Sequence, residues 1–302
     1  MKIADGDPTT LILHQSDVKH FLTCPEQFRV VNGLIPGGGF EKNHGLRVET
    51  DAATLGTTMH AVIEHELNGE RFQRTADAVR WGRNRMGELI QGYLMDGTEY
   101  RTESFGENPA AALRALEGLI TRWFASGERK HWLAVAADHP ACVNVEFNFE
   151  VPFIQNRVGR YSNIRLAGQM DMLDTYHHRV VDWKTTGRKY ERWEKQRWDV
   201  QSNVYTYAGA QLGMLERHPS GYQFDFVVFN HKYKDPEPQK VTVWRENGSW
   251  GWLTEMVSKM VKQIESDMDE WPVRDDHALC GPKWCPIWSS CKGMYVSHPD
   301  WK

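Results

Sequence analysis

GQMDMLDTYHHRVVDWKTTGRK, residues 168–189, decides how this chain folds. It holds two apolar runs, each interrupted by acid, with Tyr-His-His-Arg between them as a tight connection. That pattern predicts two strands joined by a turn. Asp171 lies in the first run; Asp182 and Lys184 lie two apart in the second. Residues i and i+2 of a strand share a face, so Asp182 and Lys184 emerge side by side. Counting back from the turn sets Asp171 across from Asp182 if the register is simple. Two carboxylates and an ammonium converging beside backbone suit a divalent cation and a phosphate. Carboxylate-held Mg²⁺ or Mn²⁺ lowers the pKa of a water and polarises a phosphate. A lysine orients or deprotonates that water, or offsets developing charge. On spacing alone, a surface hairpin with polar residues on its open face is the simpler reading.

The flanks extend the pattern. VNVEFNFEVPF (143–153) alternates as a strand, and with NIRLAGQMDMLDTY and RVVDWKTT makes a three-strand meander. A helix from about Trp198 to Leu215, the strands FDFVVFNH and QKVTVWRE, and a helix over about 249–268 follow. Upstream the chain reads as helical. SDVKHFLTCPEQFRVVNG has Ser16 as a cap, Val18, Phe21, Leu22 and Phe28 on one face, and Pro25 opening a new turn. Further helices are expected from about Ala53 to Leu67, over 75–95, and from Pro109 to Trp132. Residues 33–50, with PGGG at 36–39, read as a loop, and residues 1–13 as an irregular arm. The fold class is α/β, with a helical elaboration on the N-terminal side of a mixed core.

Composition bounds the function. The 302 residues are 40% apolar and 25% charged, ordinary for a globular enzyme. No apolar run approaches the roughly 20 residues of a membrane helix. The start, MKIADGDPTT, has no hydrophobic signal core, so a cytoplasmic protein without membrane contact is expected. A net charge of −4 argues against a nonspecific nucleic-acid coat. Residues 179–197 nevertheless hold seven basic residues against three acids, a local track that reads either as DNA contact or as a solvated helix face. Arg188 and Lys189 are its members proposed to touch substrate. Trp193 and Trp198 nearby either stack on unpaired bases or simply pack. Five cysteines in an intracellular chain are not expected to form structural disulfides. Cys280, Cys285 and Cys291 crowd the C-terminus, Cys24 lies far upstream, and Cys142 is read as a buried strand residue.

Two more pairs complete the set. His60 and Glu64 fall one turn apart on a helix, and Gln201 and Tyr205 are spaced i,i+4 on the helix after the lysine strand. GxxxH at 56–60, GxxD at 168–171, DxK at 182–184 and QxxxY at 201–205 occur in that order. The ordered set resembles the RecB-like branch of the PD-(D/E)XK nuclease superfamily, over about residues 16–291. The resemblance implies a restriction-endonuclease-like core. In it His60, Asp171, Asp182 and the Trp183 carbonyl bind Mg²⁺ or Mn²⁺, with Lys184 catalytic beside Asp171 and Asp182. It further implies that Gln201 and Tyr205 flank the site toward substrate, and that Glu146 is an accessory acid. The segments expected are an arm (1–15), a helical region with Cys24 and His60 (16–140), a nuclease core (141–270) and a C-terminal cysteine tail (271–302).

Cys24, in TCPEQF, with Cys280, Cys285 and Cys291 resembles the iron–sulphur subset of that branch, which includes CRISPR-associated exonucleases, AddB-type enzymes and phage-encoded homologues. This implies a [4Fe–4S] cluster stapling the chain ends. Four residues separate Cys280 from Cys285 where the subset usually has two, which leaves Zn²⁺ as the alternative. The function implied is a metal-dependent DNA exonuclease on single strands or duplex ends, in recombination, repair or replication. Its partners would be DNA, a recombination or replication protein, and further copies of the chain. If phage-encoded, it would work in the host cytoplasm. The alternatives are a structure-specific endonuclease and a non-catalytic adaptor that binds DNA ends.

Overall fold

A computed structural model describes residues 1–40, 48–102, 105, 109–232, 235–267, 271–274, 280–281, 285–288 and 291, the side chains of Pro109 and Trp198 excepted. In chain order the elements are β1 (Lys2–Ala4), β2 (Asp7–His14), α1 (Gln15–Thr23), α2 (Pro25–Val31), β3 (Leu34–Ile35), β4 (Gly39–Phe40), β5 (Val48–Thr50), α3 (Asp51–Leu67), α4 (Thr75–Met95), β6 (Glu99–Arg101), α5 (Pro109–Ala125), α6 (Gly127–Asp138), β7 (Val143–Ile154), β8 (Asn163–Asp174), β9 (Arg179–Thr186), α7 (Arg192–Trp198), α8 (Val200–Gln211), β10 (Tyr222–Asn230), β11 (Gln239–Arg245) and α9 (Asn247–Ile264). The chain divides into two compact units. One comprises Met1–Val48, Pro152–Arg165 and Thr254–Lys302; the other comprises Glu49–Val151 and Leu166–Leu253. Cys24 and the C-terminal cysteines fall in the first, and His60 falls with the strand segments that carry Asp171, Asp182 and Lys184 in the second. No helix among the described residues is long and apolar enough to cross a membrane.

The second unit holds the mixed sheet. β8 and β9 pair antiparallel with Met172 opposite Val181. β9 and β10 run parallel, pairing Asp182 with Phe226 and Lys184 with Val228. β10 and β11 return antiparallel, and β7 pairs with β8. Parallel neighbours need a crossover, and α7 with α8 supply it. Alternation then sorts side chains. Val181 and Trp183 enter a core built with Leu55, Met59, Val62 and Ile63 of α3 and Leu116, Leu119, Ile120 and Trp123 of α5. Asp182 and Lys184 therefore point to the face covered by α8.

Glu146 breaks the alternation of β7. Its φ of 51° is left-handed, unlike that of any other non-glycine strand residue among those described. Before it, Val143 and Val145 pack against the α3–α5 core. After it, Phe149 meets Tyr205 of α8 at 5.6 Å. The reversal is what a bulge does: it re-aims one strand between two faces.

Several boundaries differ from those read in the sequence. Residues 1–13 are not irregular: β1 and β2 pair around Asp5-Gly6, with Gly6 at φ 77° and Leu11, Ile12 and Leu13 buried. The Asp-Gly hairpin signal was present, but the consecutive apolar run hides the two-residue period. His14 and Asp17, not Ser16, cap α1; Asp17 accepts the His14 N–H at 2.8 Å. The helix expected from Pro109 to Trp132 breaks at Ser126, whose hydroxyl accepts the Arg129 N–H and caps α6. The helix expected from Trp198 to Leu215 is α8, Val200–Gln211, capped by Asp199 through the Ser202 N–H, and a separate helix not anticipated from the sequence, α7, precedes it over Arg192–Trp198. Residues 34–35 and 39–40 of the glycine-rich loop form a small ribbon, and residues 41–47 lie outside the described residues. Cys142 ends a 3-10 turn ahead of β7 and is only partly buried.

Candidate active site

Five elements of the second unit bring the site together: α3, β7, β8, β9 and α8. Thr50 caps α3 by accepting the Ala53 N–H at 3.1 Å. The helix then passes close to β9, where a Cβ on Gly56 would meet Thr185 Oγ1 at 3.2 Å. One turn on, His60 Nε2 contacts the Trp183 carbonyl, and His60 Nδ1 stands 3.5 Å from Asp171 Oδ2. If Nε2 donates to the carbonyl, the lone pair of Nδ1 is left on the side of Asp171. Asp171 Oδ2 also accepts the Trp183 N–H at 2.8 Å, so the carboxylate is fixed to the neighbouring strand.

Glu146 joins from the bulge of β7. Ligand atoms of His60, Glu146 and Asp171 all lie within 4.8 Å of one another. Burial, then the charges of Asp171 and Glu64, push the Glu146 carboxyl up to about 7. Crowded acids of this kind are relieved by a cation.

Asp182 is fully buried, and its two oxygens differ. Oδ1 accepts from Lys184 Nζ at 2.7 Å and from Gln201 Nε2 at 2.7 Å. Oδ2 is buried without a hydrogen-bond partner. A buried carboxylate oxygen left unpaired is costly, and a cation is the group that satisfies it. Burial drives the Asp182 carboxyl upward, against the pull of Lys184. Burial works against the Lys184 ammonium, but Asp182 and Asp171 outweigh it and hold the lysine protonated.

The structure thus brings together His60, Glu146, Asp171, the Trp183 carbonyl, Asp182, Lys184 and Gln201. It places others elsewhere. Tyr205 is 4% exposed, between Phe149 and Phe224, and its hydroxyl is bonded to Gln201. It supports the site from inside the core and offers little surface to a substrate. The basic track divides. Arg179 pairs with Asp174 and Asp225 and lies over Trp132, and Lys195 pairs with Asp199 and lies over Tyr190. Arg188 is exposed, 3.6 Å from Glu194. Lys189 stands beside Arg122 and Asn230 in a cavity at the ends of β9 and β10. Glu146 carried the weakest sequence signal, because only its backbone conformation turns it into the cluster.

The cysteines meet in the first unit. Cys24 is buried and links α1 to α2: its N–H bonds the His20 carbonyl and its carbonyl accepts the Phe28 N–H. The Glu26 N–H donates to the Pro272 carbonyl, and Glu26 Oε2 accepts the Trp271 N–H. Burial, then Cys285, Cys24, Cys280 and Glu26, push the Cys291 thiol up to about 11. Cys291 is therefore within electrostatic reach of the other three thiols, and none of the four is in a disulfide. Their donor set suits a thiolate-bound metal group.

A family model described as the PD-(D/E)XK nuclease superfamily matches residues 13–292. Among solved structures, the chain is similar to a proposed exonuclease of Eubacterium rectale: 12% identity, 89% of this chain and 86% of that one covered, TM-score 0.45. It is also similar to the protein SSO0001, at 10% identity, with 80% and 96% covered and TM-score 0.36. No curated protein matches the sequence.

Proposed function

The chain belongs to the PD-(D/E)XK nuclease superfamily, and we propose that it is a Mg²⁺- or Mn²⁺-dependent DNA exonuclease acting in the cytoplasm on single strands or duplex ends, in recombination, repair or replication. The observation that carries the catalytic reading is the buried, unpartnered Oδ2 of Asp182 beside a protonated Lys184. Asp171, Asp182, His60 and Glu146 are the residues that would hold the divalent ion, with the Trp183 carbonyl at hand. When bound, the ion supplies charge for the phosphate and a lower pKa for the attacking water.

The chain's own residues do the rest. Gln201 and Lys184 fix the rotamer of Asp182 through one oxygen and so leave the other for the ion. The Trp183 N–H fixes Asp171 in the same way. Lys184, held charged, donates toward the phosphate and offsets the charge that develops there, a role worth orders of magnitude when preorganised. Burial of the acids keeps water from screening these charges.

The four cysteines are proposed to hold a [4Fe–4S] cluster. The support is the resemblance of Cys24, Cys280, Cys285 and Cys291 to the iron–sulphur subset, together with the electrostatic effect of Cys285, Cys24 and Cys280 on Cys291. Four thiolates also suit Zn²⁺, which is the alternative.

The test is degradation of end-labelled single-stranded DNA with Mn²⁺ by wild type and Asp182→Ala, alongside a closed circular substrate. Wild type should shorten the linear strand, spare the circle, and lose this activity in the variant. Equal degradation by both proteins overturns the mechanism; cleavage of the circle replaces exonuclease with endonuclease.

A further inference from the structure

We propose that α7 and the edge strand β11 form a stacking groove for the unpaired bases of a DNA strand, with Trp193 and Trp244 as its platform and Arg192 as its cation. This deepens the nuclease reading above by naming where the strand lies.

The first observation is an exposed indole on a clamped support. Trp193 is 65% exposed. A short helix with a large apolar side chain outside would ordinarily turn it inward. Here the helix is held. Gln196 Nε2 donates to the Trp244 carbonyl at 2.8 Å, and Gln196 Oε1 accepts the Trp244 N–H at 3.1 Å. Those two bonds occupy backbone groups of the outermost strand of the sheet. Arg245, 1% exposed, donates to the carbonyls of Lys195 and Gln196 and to Ser202 Oγ, which ties the end of α7 to the start of α8. The indole is thus presented to solvent by a fixed frame.

The second observation is the groove itself. An open depression of about 580 Å³ is lined by Glu191, Arg192, Trp193, Gln196, Ser220 and Trp244. The Trp244 ring rests against His218 at 4.8 Å, which leaves it supported from one side. Its volume falls in the range of small-ligand sites.

The third observation is charge. Residues 188–197 carry five cations and two carboxylates in a chain whose net charge is −4, and the stretch stays positive with Lys195 given over to Asp199 and Arg188 set beside Glu194. Local positive charge beside two indoles lining one depression is the composition of single-strand tracks: bases of any sequence stack on the rings while cations follow the phosphates. A protein partner would call for a more evenly apolar patch, and duplex DNA offers no unstacked base to the rings.

The helix of the groove follows directly in the chain on the strand that carries Asp182 and Lys184. Tyr190 begins the turn into α7, with its N–H on Gln239 Oε1 at 2.9 Å and Lys195 Nζ 4.1 Å from its ring.

The experiment measures binding of a fluorescent oligo-dT in EDTA, so that no cleavage intervenes. Trp193→Ala and Trp193→Leu should each weaken binding roughly tenfold, the order expected for one stacked base. Trp193→Phe should restore most of it, and Arg192→Gln should weaken binding and lower its salt dependence. Wild-type affinity in Trp193→Ala or in Trp193→Leu overturns the groove, as does an equal loss on a blunt duplex of the same length. Melting curves check that each variant is folded; if Trp193→Ala is not, Arg192→Gln and Trp193→Phe carry the decision. A protein that binds oligo-dT through Trp193 but cuts nothing with Mn²⁺ refutes the nuclease reading and leaves the groove standing. A protein that cuts while its Trp193 variants bind normally does the reverse.

Discussion

At the scale of the residue, Asp182 shows how a carboxylate is prepared for work. One oxygen is held twice, by Lys184 and Gln201, and the other is buried without a hydrogen-bond partner. Gln201 is thus a positioning residue for the acid. Its replacement by alanine should lower kcat about tenfold with little change in KM, because the acid then samples other rotamers. Lys184→Ala should cost more, on the order of 10²–10³ in kcat, as for loss of a preorganised charge donor. Single-turnover kinetics on labelled DNA measure both; a Gln201→Ala effect confined to KM would place that side chain on substrate instead. The pair Asp182 and Lys184 was legible in the sequence because strand alternation alone puts i and i+2 on one face. Glu146 was legible only as an acid on a neighbouring strand. Its left-handed backbone, which carries it to His60 and Asp171, has no sequence marker.

At the scale of the element, the glycines of the two short motifs prove to be close-approach positions. A Cβ on Gly168 would lie 2.9 Å from the Phe149 ring and 3.4 Å from Tyr205. Gly168→Ala should therefore force that ring aside and destabilise the protein by about 1–3 kcal/mol, the usual cost of overpacking. Thermal melting measures it, and an unchanged Tm would show that Phe149 yields freely. A second element-level contact sets acid stability. Glu265, just past α9, accepts from Arg157 Nη1 at 2.7 Å and from the Tyr161 N–H at 2.8 Å. Burial raises its pKa, but Arg157 and the backbone N–H groups outweigh burial and hold it below the ordinary value of 4.5. A depressed folded pKa means the contribution is full above about 4.5 and disappears as pH falls through the folded value. The gap in Tm between wild type and Glu265→Gln should be constant at pH values well above 4.5 and close as the pH falls below it. A gap that widens in acid would contradict this sign. The core helices and strands were legible from periodicity. The break at Ser126 was not, because a capping side chain competes with helix continuation only when the neighbouring packing favours a bend.

At the scale of the whole molecule, residues 267 positions apart are gathered: Cys24 stands with Cys280, Cys285 and Cys291. Closing so long a loop restricts the unfolded chain. Cys24→Ala should abolish iron and acid-labile sulphide, remove a broad absorbance near about 400 nm from anaerobically purified protein, and lower Tm by several degrees. Cys142→Ala, at a thiol outside the set, should leave all three unchanged. Zinc in place of iron in colourless wild-type protein would reject the cluster. The sequence by itself determined the class of fold and the strands that carry Asp171, Asp182 and Lys184, because periodicity and motif order are local properties of the chain. Only the tertiary structure decided that Asp182 keeps one oxygen unpaired, that Glu146 turns into the site, that Tyr205 supports from within, and that Arg179 and Lys195 are spent on internal partners while Trp193 stays outside. Those outcomes depend on burial and on which side chains meet across long separations, and both are fixed by packing of the folded chain.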